Sequence, residues 1–141
     1  MKTVALLLGL ALLCALGVAL YIRLAPSDPA RWHGDPAAIP DPHTPNFARL
    51  SLTLPLPRDT VFERIAAQAA REGAVELAGD QGLMTWVARS RVMKFPDYVT
   101  IRLTGTADGT QVSALSRARF GRGDMGVNAA RLQRWIGVLA H

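Results

Sequence analysis

The sequence predicts an α+β protein: an N-terminal transmembrane helix, then a small curved antiparallel sheet with two helices packed on one face. Three observations carry this expectation. Thr3 to Ile22 is an uncharged run of twenty residues. Several later stretches alternate apolar and polar residues between tight turn signals. Leu132, Trp135, Ile136 and Leu139 fall at i, i+3, i+4 and i+7, the stripe of an amphipathic helix. With 141 residues, 50% of them apolar, the chain has room for one ordinary domain and a short extension but not for two large lobes.

The first element is the apolar run, bracketed by Lys2 and Arg23. As a helix it would be about 30 Å long, the thickness of a hydrocarbon core. A cleaved signal peptide is the competing reading, but the run exceeds the roughly 7–15 apolar residues of such a leader, and no small-x-small site follows it cleanly. Cys14 follows Leu13, where a lipoprotein site needs a small residue, so it reads as a small buried hydrophobe. As the single cysteine it also excludes an internal disulfide and a cysteine-based metal site. Ala11, Ala15 and Ala19 recur every four residues, a face on which two helices could approach, but an Ala-rich run produces that spacing readily and no oligomeric state is read from it. Lys2 and the terminal amine balance Arg23 and Arg31, so the charge rule abstains on orientation. The very short leader resembles a signal anchor. It places the rest of the chain outside the cytoplasm, as a single-pass protein.

Residues 1–24 are thus the anchor, 25–46 a linker and 47–141 the folded domain. In the linker Pro26, Pro29, Pro36, Pro40, Pro42 and Pro45 leave almost no apolar periodicity, and the stretch reads as an extended spacer. His33 and His43 stand among Asp28, Asp35 and Asp41, but proline-stiffened spacing and the lack of a helix-borne or Cys-paired ligand argue against a metal site. Trp32 is expected to anchor the linker to the membrane interface or to the domain surface.

Leu50, Leu52 and Leu54 alternate with Ser51, Thr53 and Pro55, giving a first strand with one buried face. Pro57-Arg58-Asp59-Thr60 opens a helix, with Thr60 and Glu63 at capping-box spacing, Phe62, Ile65, Ala66 and Ala69 as its apolar stripe, and Gly73 at its end. A short strand is expected near Val75 to Leu77. Three more follow, with Met84-Trp86-Ala88, Val99-Ile101-Leu103 and Val112-Ala114-Ser116 facing inward. Gly79-Asp80-Gln81-Gly82 and Ala107-Asp108-Gly109 suit tight antiparallel reversals. The last helix spans about Met125 to Ala140.

If those residues face inward, the pleat sends Arg89, Arg91, Arg102, Arg117 and Arg119 to the other side of the sheet. The chain carries 14 Arg against 2 Lys and a formal charge of +5. Between Arg89 and Arg134 nine basic residues face only Asp97, Asp108 and Asp124. Such a face, close to a bilayer, suits anionic lipid headgroups or acidic envelope polymers. The alternative is a solvated face whose arginines pair with nearby aspartates and carbonyls.

Gly121-Arg122-Gly123-Asp124-Met125-Gly126 matches G-x-G-x-x-G, but no parallel strand or acidic residue follows at the dinucleotide-site distance. What remains is a glycine-rich turn in which Asp124 caps the last helix, or in which Arg122 and the free amides hold an anion. Arg122-Gly123-Asp124 also spells an adhesion tripeptide, a chance product of a basic glycine-rich turn. The histidines lie in the linker or at the terminus, so the domain offers no histidine base and no catalytic residue is assigned. Asp97, read as a turn residue after Phe95-Pro96, and Asp124 are the remaining candidate carboxylates. Nucleic acid is a disfavoured partner for an exported domain with so few lysines, and no cofactor is implied.

The strings Arg89-Ser90-Arg91-Val92-Met93-Lys94-Phe95-Pro96-Asp97-Tyr98-Val99 and Ser116-Arg117-Ala118-Arg119-Phe120-Gly121-Arg122-Gly123-Asp124-Met125-Gly126-Val127-Asn128-Ala129-Ala130-Arg131 resemble the bacterial domain-of-unknown-function family numbered 1499. The resemblance runs from about Phe47 to the C-terminus, and Trp32-His33-Gly34-Asp35-Pro36 looks like the segment preceding the domain in membrane-anchored members. It implies a bacterial envelope domain without an established activity and supplies no catalytic residues. Its motif positions Arg89, Arg91, Asp97, Arg117, Arg119, Arg122, Asp124, Asn128 and Arg131, with Arg102 from the pleat, form either an ion-pair and capping network or an anion site. The function expected is a membrane-anchored extracytoplasmic binding or structural module. The alternative is an envelope enzyme or a lipid or anion carrier with an Arg-lined pocket near Asp97 and Asp124.

Overall fold

Helix α1 (Lys2–Leu24) is apolar on every side, and no part of the chain buries its side chains. Its most apolar window has a mean hydropathy of 2.6, so by length and composition it can cross a membrane. The structure is a computed structural model and describes residues 2–90 and 93–140. After α1 come a single-turn helix α2 (Pro29–Trp32), β1 (Phe47–Leu54), α3 (Arg58–Arg71), β2 (Val75–Gly79), β3 (Leu83–Arg89), β4 (Pro96–Thr106), β5 (Gly109–Ala118) and α4 (Val127–Gly137).

The five strands form one antiparallel sheet in the order β1-β5-β4-β3-β2. Two reversals follow from tight turns. Asp80 accepts hydrogen bonds from the amides of Gly82 and Leu83 between β2 and β3, and Gly109 sits at φ 128° between β4 and β5, where its missing Cβ lets it approach Leu54 O. β1 closes the other edge by pairing Phe47 with Arg117 through Leu54 with Thr110.

Alternation along the strands turns Met84, Trp86, Ala88, Val99, Ile101, Leu103, Val112 and Ala114 toward α3 and α4. From the helices Val61, Ile65, Ala69, Leu132, Trp135, Ile136 and Leu139 complete this core, with Trp86 and Trp135 edge to face at 5.5 Å. The apolar stripe of α3 is rotated from its expected position. Val61 is fully buried, while Phe62 and Ala66 are only half-buried. Nor does the Thr60/Glu63 capping box form, because Pro57, with φ near −59°, already occupies the cap position and places Thr60 inside the first turn. Gly73 ends α3 at φ 72°, where the amides of Gly73 and Ala74 satisfy Ala70 and Ala69 carbonyls. α4 starts at Val127, two residues later than expected, since Gly126 takes a left-handed conformation.

The second face of the sheet carries Thr85, Val87, Tyr98, Thr100, Arg102, Leu115 and Arg117, and residues 25–46 lie across it. They are not an extended spacer. Trp32 stacks on Tyr98 with ring centroids 3.9 Å apart and planes 8° from parallel. The Arg117 guanidinium lies 4.9 Å from the Trp32 ring and donates to Trp32 O at 3.0 Å. His33 Nδ1 meets Thr85 Oγ1 at 2.9 Å, and Asp35 lies 2.6 Å from Arg102 Nε. On the return, Arg49 donates to Pro36 O and Ile39 O and pairs with Asp41, while Arg119 donates to Pro26 O at 2.6 Å. The prolines that block a regular element do not block packing, because the carbonyls they leave without ladder partners receive guanidinium donors instead.

Trp32→Ala should therefore destabilise the protein by about 3 kcal/mol, as for a buried aromatic. It should also accelerate tryptic cleavage after Arg31. Denaturant unfolding in neutral detergent checks this, and a change under about 0.5 kcal/mol would mark an ordinary surface position instead.

Candidate functional site

Where β4 and β5 reach the loops at residues 93–95 and 119–126, polar residues replace the apolar layer beneath α4. Ser116 continues the inward phase of Val112 and Ala114, and Asp97 that of Val99 and Ile101. Asn128 and Arg131, one turn apart on α4, come down onto them. Ser116 Oγ donates to Asn128 Oδ1 at 2.5 Å, and Asn128 Nδ2 donates to Asn46 O at 3.0 Å and Asp124 Oδ2 at 2.6 Å. Arg131 forks between Asn128 Oδ1 at 3.0 Å and Asp97 Oδ2 at 2.8 Å. All four of Ser116, Asn128, Asp97 and Arg131 are buried. Asp97 thus lies within β4 and not in a turn, because Phe95 and Pro96 lead straight into the strand.

Two neighbouring carboxylates respond oppositely to this setting. Burial pushes Asp97 above the usual carboxylate range, against the pull of Arg131. Burial also opposes ionisation of Asp124, but the amide and side chain of Asn128 and the amide of Gly126 outweigh it and hold Asp124 below its ordinary value. Asp124 caps α4 through those amides, at 2.8 and 3.1 Å.

Beside this network a cleft of about 720 Å³ opens between the end of β3, the end of α3 and the outer side of α4. Ala88, Arg89, Ser90, Arg71, Glu72, Val127, Arg131 and Arg134 line it. Of the four arginines in this lining, Arg131 is paired with Asp97 and Arg134 with Glu72, so Arg71 and Arg89 are left without a carboxylate partner among the described residues. Glu72 is taken by Arg134 in a bidentate pair at 2.9 and 3.0 Å, which holds Glu72 below the ordinary glutamate value. Arg89 donates to Arg23 O and Lys94 O, and Arg71 has no ion pair or side-chain hydrogen bond among the described residues. Such a set of fixed donors can hold a phosphate or a carboxylate. Among the described residues no group of three or more His, Cys, Asp or Glu side chains is placed to hold a metal ion.

The residues singled out in the sequence separate into three groups. Asp97, Asp124, Asn128 and Arg131 meet beneath α4. Arg102, Arg117 and Arg119 hold residues 25–46 on the second face, and burial, with Arg49 and Arg31 nearby, lowers the pKa of Arg117. Arg89 lies at the cleft and Arg122 is exposed in the glycine-rich loop, while Arg91 falls outside the described residues. Arg71, Glu72, Ser90 and Arg134 join the cleft without having been singled out. Glu72 and Arg134 are 62 positions apart, and only the packing of α3 against α4 brings them together.

The fold is similar to that of a solved structure. The protein MLL2253 from Mesorhizobium loti is 10% identical, covers 66% of this chain and 93% of its own, and superposes with a TM-score of 0.51, a likeness of fold alone. The protein CV1439 from Chromobacterium violaceum is 13% identical over 68% of this chain and 94% of its own, with a TM-score of 0.48. No curated protein matches the chain. The model of a family described as protein of unknown function, DUF1499, matches residues 22–139, and the chain belongs to that family. That match takes in residues 25–46, the segment packed on the sheet.

Two outcomes follow from the network. Asp97→Asn leaves Arg131 a buried charge without its counterion and should cost about 3–5 kcal/mol, whereas Asp97→Leu combined with Arg131→Met should recover most of it, as read by denaturant unfolding. Asp124→Ala should cost about 1 kcal/mol at pH 7. Because the Asp124 pKa is depressed in the fold, its ionic contribution is complete above pH 3.8 and is lost as pH falls through the folded value, so the gap between variant and parent should narrow in acid.

Proposed function

We propose that the chain is a membrane-anchored, extracytoplasmic binding module that holds an anionic group, phosphate or carboxylate, in the cleft between β3, α3 and α4. One observation carries this reading: Arg71, Arg89, Arg131 and Arg134 line a single concavity in which Arg131 and Arg134 neutralise Asp97 and Glu72 and leave Arg71 and Arg89 without a carboxylate partner among the described residues. The sheet face offers less to an anion, since Arg102, Arg117 and Arg119 are engaged by Asp35, Trp32 and Pro26. An incoming ligand would have to displace the stacked Trp32. Helix α1, apolar and long enough to cross a membrane, supports the anchoring, and the resemblance to bacterial envelope domains supports an inner membrane with the domain on the periplasmic side.

The test is a titration of the isotopically labelled full chain, in neutral detergent, with inorganic phosphate. Saturable amide shifts should concentrate at Ser90, Arg71, Val127 and Arg131. Arg71→Ala should weaken the apparent affinity roughly tenfold, the worth of one charge-assisted hydrogen bond. Shifts that never saturate, or that spread equally over the turns at the other end of the sheet, would refute the cleft.

A further inference from the structure

We propose that the loops at residues 93–95 and 119–126 form a bilayer-contacting rim, which seats the domain on the headgroup layer of the membrane that holds α1. This stands apart from the cleft reading, for it concerns where the domain rests and not what it binds.

The last turn of α1 is fastened to this end of the sheet. Arg23 Nε donates to Met93 O at 3.2 Å, and Arg89 Nη1 donates to Arg23 O at 3.3 Å. Tyr21 meets Phe120 edge on with centroids 6.4 Å apart, and Phe120 meets Phe95 at the same separation. Arg23 is the first charge after the apolar run, so it marks the edge of the hydrocarbon. A backbone carbonyl 3.2 Å from its side chain lies at the same depth.

The exposed surface at this end has the composition such a position needs. Outside α1, the exposed large apolar side chains among the described residues are Val75, Met93, Met125 and Val127. Val75 opens β2 opposite Val87, and Val127 opens α4, so all four gather at the end where α1 arrives. Met125 is 102% exposed, and nothing in the chain touches it enough to shield it. Among the described residues Lys94 and Met125 are the non-glycine residues with positive φ, at 59° and 50°, an uncommon backbone conformation. Lys94 and Arg122 are exposed beside them, with Arg23 at the helix end. Three of the nearby carboxylates are occupied, Asp124 by α4 amides, Glu72 by Arg134 and Asp97 by Arg131, while Glu76, beside Val75, is exposed. Lys94 and Arg122, exposed beside thioether and valine tips, match an anionic headgroup layer above an acyl boundary.

Depth measurement on the full chain tests this. With Cys14→Ala to leave one thiol, a spin label is placed through Met125→Cys, Met93→Cys or, at the opposite end of the sheet, Ala107→Cys. Each protein is reconstituted into nanodiscs of phosphatidylcholine with or without phosphatidylglycerol. Collision rates with oxygen and with a water-soluble nickel chelate should place the labels at 125 and 93 about 5 Å or more inside the phosphate plane, and the label at 107 in water. Phosphatidylglycerol should deepen the first two and leave the third unchanged. Labels at 125 and 107 equally open to the chelate in both bilayers would overturn the proposal. So would shielding of residue 125 in detergent that grows with protein concentration, which would assign the rim to a second copy of the chain.

Discussion

The pleat of β3, β4 and β5 divides the sheet into an apolar face and a guanidinium face, and each face obliges a different part of the chain to cover it. Aliphatic and indole side chains call for two amphipathic helices. Arginines do not require burial, yet their donors are fixed in number and direction, and the structure spends them on carbonyls. Residues 25–46 have such carbonyls in surplus, because six prolines remove the amides with which a strand or helix would answer them. The arginine content and the proline content of this protein are thus two halves of one arrangement. Neither makes sense alone.

The same logic holds at the end of the core, where polar groups enter a layer that could have been apolar. Arg131 and Asp97 are both nearly dry, and a buried pair of this kind is not in itself a source of stability, since desolvation offsets most of its attraction. What it supplies is orientation. With Ser116 and Asn128 it fixes the first turns of α4 against β4, β5 and Asn46, and so sets the width of the cleft that α4 shares with α3.

Much of this was legible in the residues. Strict alternation disclosed the inward sets of three strands, and Leu132, Trp135, Ile136 and Leu139 disclosed the buried side of α4, because both patterns are local and periodic. The fate of residues 25–46 was not, since an aperiodic proline-rich stretch reads alike whether it is solvated or packed; only the position of Tyr98 on the opposite face gives Trp32 its partner, 66 residues away in the chain. Asp97 illustrates the same limit. A proline before an aspartate is a turn signal, but the pairing of Arg89 with Pro96 draws both into the ladder. The cleft depends on Arg71, Glu72, Ser90 and Arg134, each unremarkable within its own element and meaningful only once two helices meet.

The packing of residues 25–46 also fixes how far the domain can lie from α1. Fully stretched, those residues would reach about 75 Å, far enough to patrol a distant layer. Folded back along the sheet, with Pro26 held by Arg119 and Asn46 by Gly121, they leave no leash. The domain goes only where α1 goes, and anything it meets must come to the place that helix occupies.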